Sequence, residues 1–123
     1  DERLVTYAPR LTKDDGVIDW RRPARALQCF VRGMQPWPGA ITWVWSGRWL
    51  VRRACVADGH QLDAAPASIV EARGDRLVVA CGEGTALAVT ELQPEGKRAM
   101  SAREFLAGRR LAPGAALGRV PPA

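Results

Sequence analysis

Histidine occurs once in the 123 residues and serine three times, at Ser46, Ser68 and Ser101. That scarcity removes most hydrolytic chemistry. A Ser-His-Asp system would have to recruit His60, which sits in the turn-like run Asp58-Gly59-His60-Gln61, and no Gly-x-Ser-x-Gly elbow is present. Cysteine is odd in number, with Cys29, Cys55 and Cys81 spaced 26 residues apart. This spacing suits neither a paired disulfide framework nor the close ligand pairs of a zinc site, so three buried structural thiols are the expectation. No pair of acids is marked out either: Asp14-Asp15 precedes a glycine and reads as turn chemistry. Gly82-Glu83-Gly84 lacks the spacing and the following helix of a phosphate-cradling loop and reads as a hairpin turn. There is no apolar run of 18 residues and no charged-then-apolar leader. Free thiols without an export signal point to a reducing, cytoplasmic setting. The chain alone is thus expected to be non-catalytic, with no metal, no cofactor and no membrane segment of its own.

What the chain has in quantity is arginine. Lys plus Arg number 18 against 13 acids, a formal charge of +5, and 16 of the cations are arginine, whose planar fork of donors suits phosphate better than the point charge of lysine. The excess is not spread evenly. Residues 1–19 carry −2, residues 20–57 carry +7 without a single acid, residues 58–96 carry −5, and residues 97–110 carry +4. Two basic blocks flanking an acidic one are the electrostatic footprint of a polyanion-binding protein. All five tryptophans, at positions 20, 37, 43, 45 and 49, fall inside the acid-free block. Base stacking would be their functional role, but packing against the core and a neighbouring domain is the preferred reading.

At this length one core is expected. Residues 1–18 show little periodicity and read as an extended lead-in or linker remnant. Asp19 is placed to cap a helix whose first turn contains Pro23, with Leu27, Phe30, Val31 and Met34 on one face and Gly33 and Pro36 at its end. From Ala40 the period changes to two, with Ser46-Gly47 turning a first strand into a second over 49–57. There the alternation conflicts with itself, because Arg52 and Arg53 fall on opposite faces and one must point coreward unless a bulge intervenes. The expected resolution is a stem packed at a barrel mouth with its head in water. Strands are also expected over 68–72, 77–81 and 86–92, then a loop over 94–100. Ser101-Ala102-Arg103-Glu104 has the form of a capping box opening a short helix that ends near Gly108.

Three segments give the chain a family. Residues 6–16 (Thr-Tyr-Ala-Pro-Arg-Leu-Thr-Lys-Asp-Asp-Gly) run into Ile18-Asp19-Trp20; Pro36-Trp37-Pro38-Gly39-Ala40 follows; Leu92-Gln93-Pro94-Glu95-Gly96-Lys97-Arg98 then leads to Met100-Ser101-Ala102. In order and spacing these resemble the carboxy-terminal domain of bacterial methionyl-tRNA formyltransferases, with the end of its interdomain linker, over roughly residues 6–118. The resemblance implies a mainly β fold: a small OB-like Greek-key barrel of five or six strands, one N-terminal helix and one short C-terminal helix. It divides the chain into a linker remnant (1–18), a barrel domain (19–118) and a tail (119–123). It further implies initiator tRNA as partner, and a catalytic domain, in cis or in trans, that binds 10-formyltetrahydrofolate as formyl donor and is absent from this chain. Formyltransferase-fold enzymes acting on sugar nucleotides or formyl-folate share the Asp-Trp and Pro-Trp-Pro-Gly-Ala segments, and for them the barrel would brace the catalytic domain and touch no RNA. The Gln93 to Met100 segment favours the tRNA enzyme. Where that family commonly has glycine after the loop proline this chain has Ala67, which predicts a turn without positive φ.

Lys97 and Arg98, in the best-matched segment, are the first candidates for nucleic-acid contact. Arg48, Arg52, Arg103, Arg109 and Arg110 come next, then Arg53. Their role would be to hold phosphates and set position, not to read sequence.

Overall fold

The computed structural model describes residues 16–36, 39–44, 47–57, 65–108 and 117. The expected lead-in up to residue 15, Trp37, Trp45, His60, Arg109, Arg110 and the 119–123 tail lie outside them. In chain order the elements are α1 (Ala24–Gly33), β1 (Ala40–Val44), β2 (Gly47–Val56), β3 (Ile69–Arg73), β4 (Arg76–Ala80), β5 (Ala86–Pro94), β6 (Met100–Ser101) and α2 (Ala102–Ala107). The strands form one antiparallel sheet in the order β1-β2-β5-β4-β3. The three hairpin-linked strands β3, β4 and β5 thus have β2 returning beside β5, which is a Greek key. Strand β6 continues along the edge of β5 where β4 leaves off, pairing Glu91 with Ser101 and Leu92 with Met100. Among the described residues no ladder joins β1 to β3, so the OB-like barrel is an open one. The segment before α1 covers part of the β1 edge, through a parallel bridge of Val17 to Ile41 and a 2.8 Å bond from the Ile18 amide to the Ile41 carbonyl.

The conflict at Arg52 and Arg53 is resolved by two compensating shifts of register. Val51 lies opposite Leu92, Arg53 opposite Glu91 and Ala54 opposite Val89, so Arg52 is an extra residue on β2 and Thr90 an extra one on β5. A bulge of this kind reverses which face each later residue takes. Before it Trp49 and Val51 are buried; beyond it Ala54 and Val56 pack on the core, while Arg53 and Cys55 are exposed. Neither arginine enters the core.

That core is built from Ile18, Trp20, Leu27, Val31, Val44, Trp49, Val51, Ile69, Leu77, Val79, Leu87, Val89, Leu92 and Phe105. Trp49 and Phe105 meet edge to face, with centroids 5.1 Å apart. The Trp20 indole N–H donates to buried Thr42 at 2.9 Å, satisfying both polar groups. Packing is therefore the role of Trp20 and Trp49, each almost fully buried, while Trp43 is half-buried.

Three local expectations are corrected. Asp19 does not cap α1. Its carboxylate takes the Arg21 backbone N–H and a bidentate pair from the Arg21 guanidinium, and its carbonyl closes a turn to Arg22. Pro23 is extended (φ −66, ψ 152), so the helix begins only at Ala24, whose free N–H is accepted by Thr85 Oγ1 at 2.8 Å. The Gly82–Thr85 hairpin turn thereby seats the helix, and it approaches closely enough that a Cβ on Gly82 would lie 1.8 Å from the Arg21 carbonyl oxygen. Secondly, only Cys81 is a buried thiol, pushed up to about 12 by desolvation; Cys29 and Cys55 are exposed. Cys55 is outward because of the bulge, and Cys29 lies on the helix face away from Leu27 and Val31.

Thirdly, Ala67 does adopt positive φ, at 77°. Its N–H donates to Ala80 and its carbonyl accepts from Leu117, both at 2.8 Å, so pairing on two sides fixes a conformation that costs an L-residue about 1–2 kcal/mol. Ala67→Gly is expected to stabilise the domain by about 1 kcal/mol, after allowing for glycine's greater freedom when unfolded. Chemical denaturation checks this; an unchanged or lower stability would show that the alanine is unstrained.

Candidate nucleic-acid interface

The β2–β5 ladder brings the last cations of the first basic block against the start of the second, although they are far apart in sequence. Arg48 follows the first residue of β2, and its backbone is clasped by Glu95: the Glu95 N–H donates to the Arg48 carbonyl at 2.8 Å, and the Arg48 N–H donates to Glu95 Oε1 at 3.2 Å. Glu95 thus spends its carboxylate on a backbone amide instead of an arginine head. The turn that follows is closed by Lys97 N–H on the Pro94 carbonyl at 3.0 Å, and both Lys97 and Arg98 are exposed. Past that turn, Ser101 and Glu104 form the full reciprocal capping box, and α2 carries exposed Arg103.

Arg98 has a second role that sequence reading did not foresee. Its guanidinium pairs with Glu104 Oε2 at 2.8 Å, tying the turn to the helix it precedes. Glu104 is held below the usual carboxylate range by the Arg98 hydrogen bond first, and then by the Ser101 backbone N–H. A depressed carboxylate contributes to stability above its ordinary range and loses that contribution as pH falls through the folded value. Both partners are largely exposed, at 72% and 49% for the side chains, so the pair is weak and separable.

Arg52 occupies a different setting. It is half-buried at the bulge, with one terminal nitrogen donating to Gln35 Oε1 at 3.2 Å and the other to Gln93 Oε1 at 2.6 Å. Gln35 in turn donates to the Val31 and Val51 carbonyls, and Gln93 to the Lys97 carbonyl at 3.0 Å. The guanidinium is thus anchored by amides, not left in water as expected, and this chain of bonds links the end of α1, the bulge and the 95–98 turn. Gln35 and Gln93 are the positioning residues that sequence reasoning missed; their only signal was an uncharged amide on each side of an arginine whose register was unsettled.

Of the first candidates, Lys97 and Arg98 are thus carried by the 95–98 turn; of the next five, Arg48 and Arg103 are carried by the β2 start and α2, Arg52 stands behind them across Gln93, and Arg109 and Arg110 lie outside the described residues. Arg53 is exposed and, like Arg52, lines the groove between α1 and β2. Among the described residues no group of three His, Cys, Asp or Glu gathers as a metal site, and no helix is long and apolar enough to cross a membrane.

The described residues form an open OB-like barrel with exposed cations on one seam. The family described as "Formyl transferase, C-terminal domain" matches residues 10–110, and the chain belongs to that family. It is similar to the methionyl-tRNA formyltransferase of Citrifermentans bemidjiense, at 44% identity over 119 residues covering 97% of this chain and 36% of that protein. The methionyl-tRNA formyltransferase of Bacillus licheniformis shares 42% over 118 residues, 96% of this chain and 37% of the relative. The chain spans little more than a third of these relatives' length. Among solved structures, HypX from Aquifex aeolicus in complex with tetrahydrofolic acid aligns over 80% of this chain and 17% of its own, with a TM-score of 0.64 and 15% identity, a likeness of fold alone.

Replacing Arg98 with alanine is expected to return the Glu104 carboxyl toward its ordinary titration range, read by carboxyl NMR against pH. An unmoved midpoint would show that the capping bond from Ser101 alone holds it down.

Proposed function

We propose that this domain grips initiator tRNA for a methionyl-tRNA formyltransferase, holding the acceptor end toward a catalytic domain that transfers a formyl group from 10-formyltetrahydrofolate to the methionyl amino group. The observation that carries the reading is the likeness to methionyl-tRNA formyltransferases over almost the whole chain, in which the matched Lys97–Arg98 segment is an exposed turn docked onto Arg48. The residues of this chain do no chemistry in that scheme. Lys97, Arg98, Arg48 and Arg103 bind phosphates, and Arg52 with its two glutamines keeps the turn in register with the sheet. Folded RNA of acceptor-stem type is recognised mainly by shape and backbone, which suits cations positioned on a rigid sheet edge. The catalytic domain is the second partner, with residues 1–18 as the end of the linker leading from it and 19–118 as the barrel itself. Such work belongs to translation initiation in the bacterial cytoplasm.

The test is titration of the chain with initiator tRNA at several salt concentrations. Log affinity is expected to fall with log salt at a slope of about −0.7 to −0.9 per phosphate neutralised. Lys97→Ala and Arg98→Ala together should flatten that slope by about 2. No binding at low salt, or a slope near zero, would contradict the proposal and leave a barrel that only braces its catalytic domain.

A further inference from the structure

The bulge at Arg52 opens a groove between α1 and β2 of about 430 Å³, within the size range of small-ligand sites. Three arginines reach its lining, Arg32 from α1 and Arg52 and Arg53 from the bulge; Gln28, Gln35 and Thr90 add polar groups, and Val31 and Ala54 supply apolar wall. No acid lines it. Arg52 is the informative member. Two of the five N–H donors of its guanidinium are spent on the oxygens of Gln35 and Gln93, which fix its plane while leaving its charge uncompensated. Among the described residues the Arg32 side chain bonds the Cys29 sulfur, at 3.9 Å, and neither Arg53 nor Glu91, opposite it in the ladder, is in an ion pair. A half-buried guanidinium oriented by neutral amides is an electrostatic vacancy for an anion, because its remaining donors are held ready and no carboxylate competes for them.

We propose that the α1–β2 groove binds a phosphate monoester of mononucleotide size, the phosphate between Arg32, Arg52 and Arg53 and the organic body against Val31 and Ala54. The site is joined to the Lys97 turn through Arg52 and Gln93, but its phosphate contacts use neither Lys97 nor Arg98 and do not depend on the tRNA reading. A free nucleotide and the 5′-phosphorylated terminal nucleotide of an RNA present this same chemistry.

The experiment titrates the whole chain with AMP, adenosine and inorganic phosphate, following backbone amide shifts at Val31, Arg53, Cys55 and Thr90. AMP is expected to bind at least tenfold more tightly than adenosine, and Arg32→Gln with Arg53→Gln, both on exposed side chains, to weaken it at least tenfold with the fold unchanged by circular dichroism. In a Cys29→Ser background, AMP should also slow alkylation of exposed Cys55, which lines the groove, by iodoacetamide several-fold. Equal binding of AMP and adenosine, no binding at millimolar AMP, or indifference to the double substitution would overturn the site. Initiator tRNA supplies the second arm: if it displaces AMP the phosphate belongs to RNA, and if both bind together the ligand is a free nucleotide, and either result supports the site. Because neither Lys97 nor Arg98 is altered, failure here leaves the tRNA reading standing, and the converse holds.

Discussion

The pairing of β2 with β5 places every other part of the domain. Strand β5 has β2 on one side along most of its length, and on the other side β4 and then β6, so it forms the spine on which the Greek key closes. Antiparallel ladders admit no half-register, and a slip of one residue would send Val51 outward and a charged head into the core. The irregularity in this ladder, the paired extra residues Arg52 and Thr90, lets a sequence with two consecutive arginines remain a strand. It also makes the bulge the place where charge, helix and turn meet.

That local solution has consequences for function. The extra residue leaves a guanidinium half-buried, and the domain orients it with the amides of Gln35 and Gln93 instead of neutralising it. Gln93 passes the constraint to the Lys97 carbonyl, and the Glu95 clasp on Arg48 repeats it on the neighbouring strand. The Arg52 head is therefore held by neutral amides, whereas Arg98 pairs with exposed Glu104. At Arg48 and Arg52 the surface keeps its field for a ligand, since the Glu95 carboxylate is occupied with a backbone N–H group.

Much of this was legible in the residues. The switch from a helical period to a period of two located α1, β1 and β2; the capping box at Ser101 and Glu104 marked α2 and is formed in full. The conflict between Arg52 and Arg53 marked where the alternation breaks, but the resolution expected from it was an arginine at a barrel mouth; the ladder shows a bulge instead, answered on β5 at Thr90. What stayed hidden depends on contacts distant in sequence. Thr85 caps α1 from 61 residues away, which no local pattern around Asp19 reveals. Ala67 takes a conformation its own chemistry resists because Ala80 and Leu117 hold both of its backbone groups. The α1–β2 groove escaped for the same reason: Arg32 and Arg53 are ordinary surface arginines until the bulge turns them toward one cleft.

The central claim is that the β2 start, the 95–98 turn and α2 form one RNA-facing surface. Hydrogen exchange on the chain with and without initiator tRNA tests it most directly. Slowed exchange concentrated at residues 47–50, 95–98 and 102–104, with the β3–β4 hairpin around residues 71–76 unaffected, is the predicted result. Protection centred on that hairpin, or none at saturating tRNA, would contradict the account.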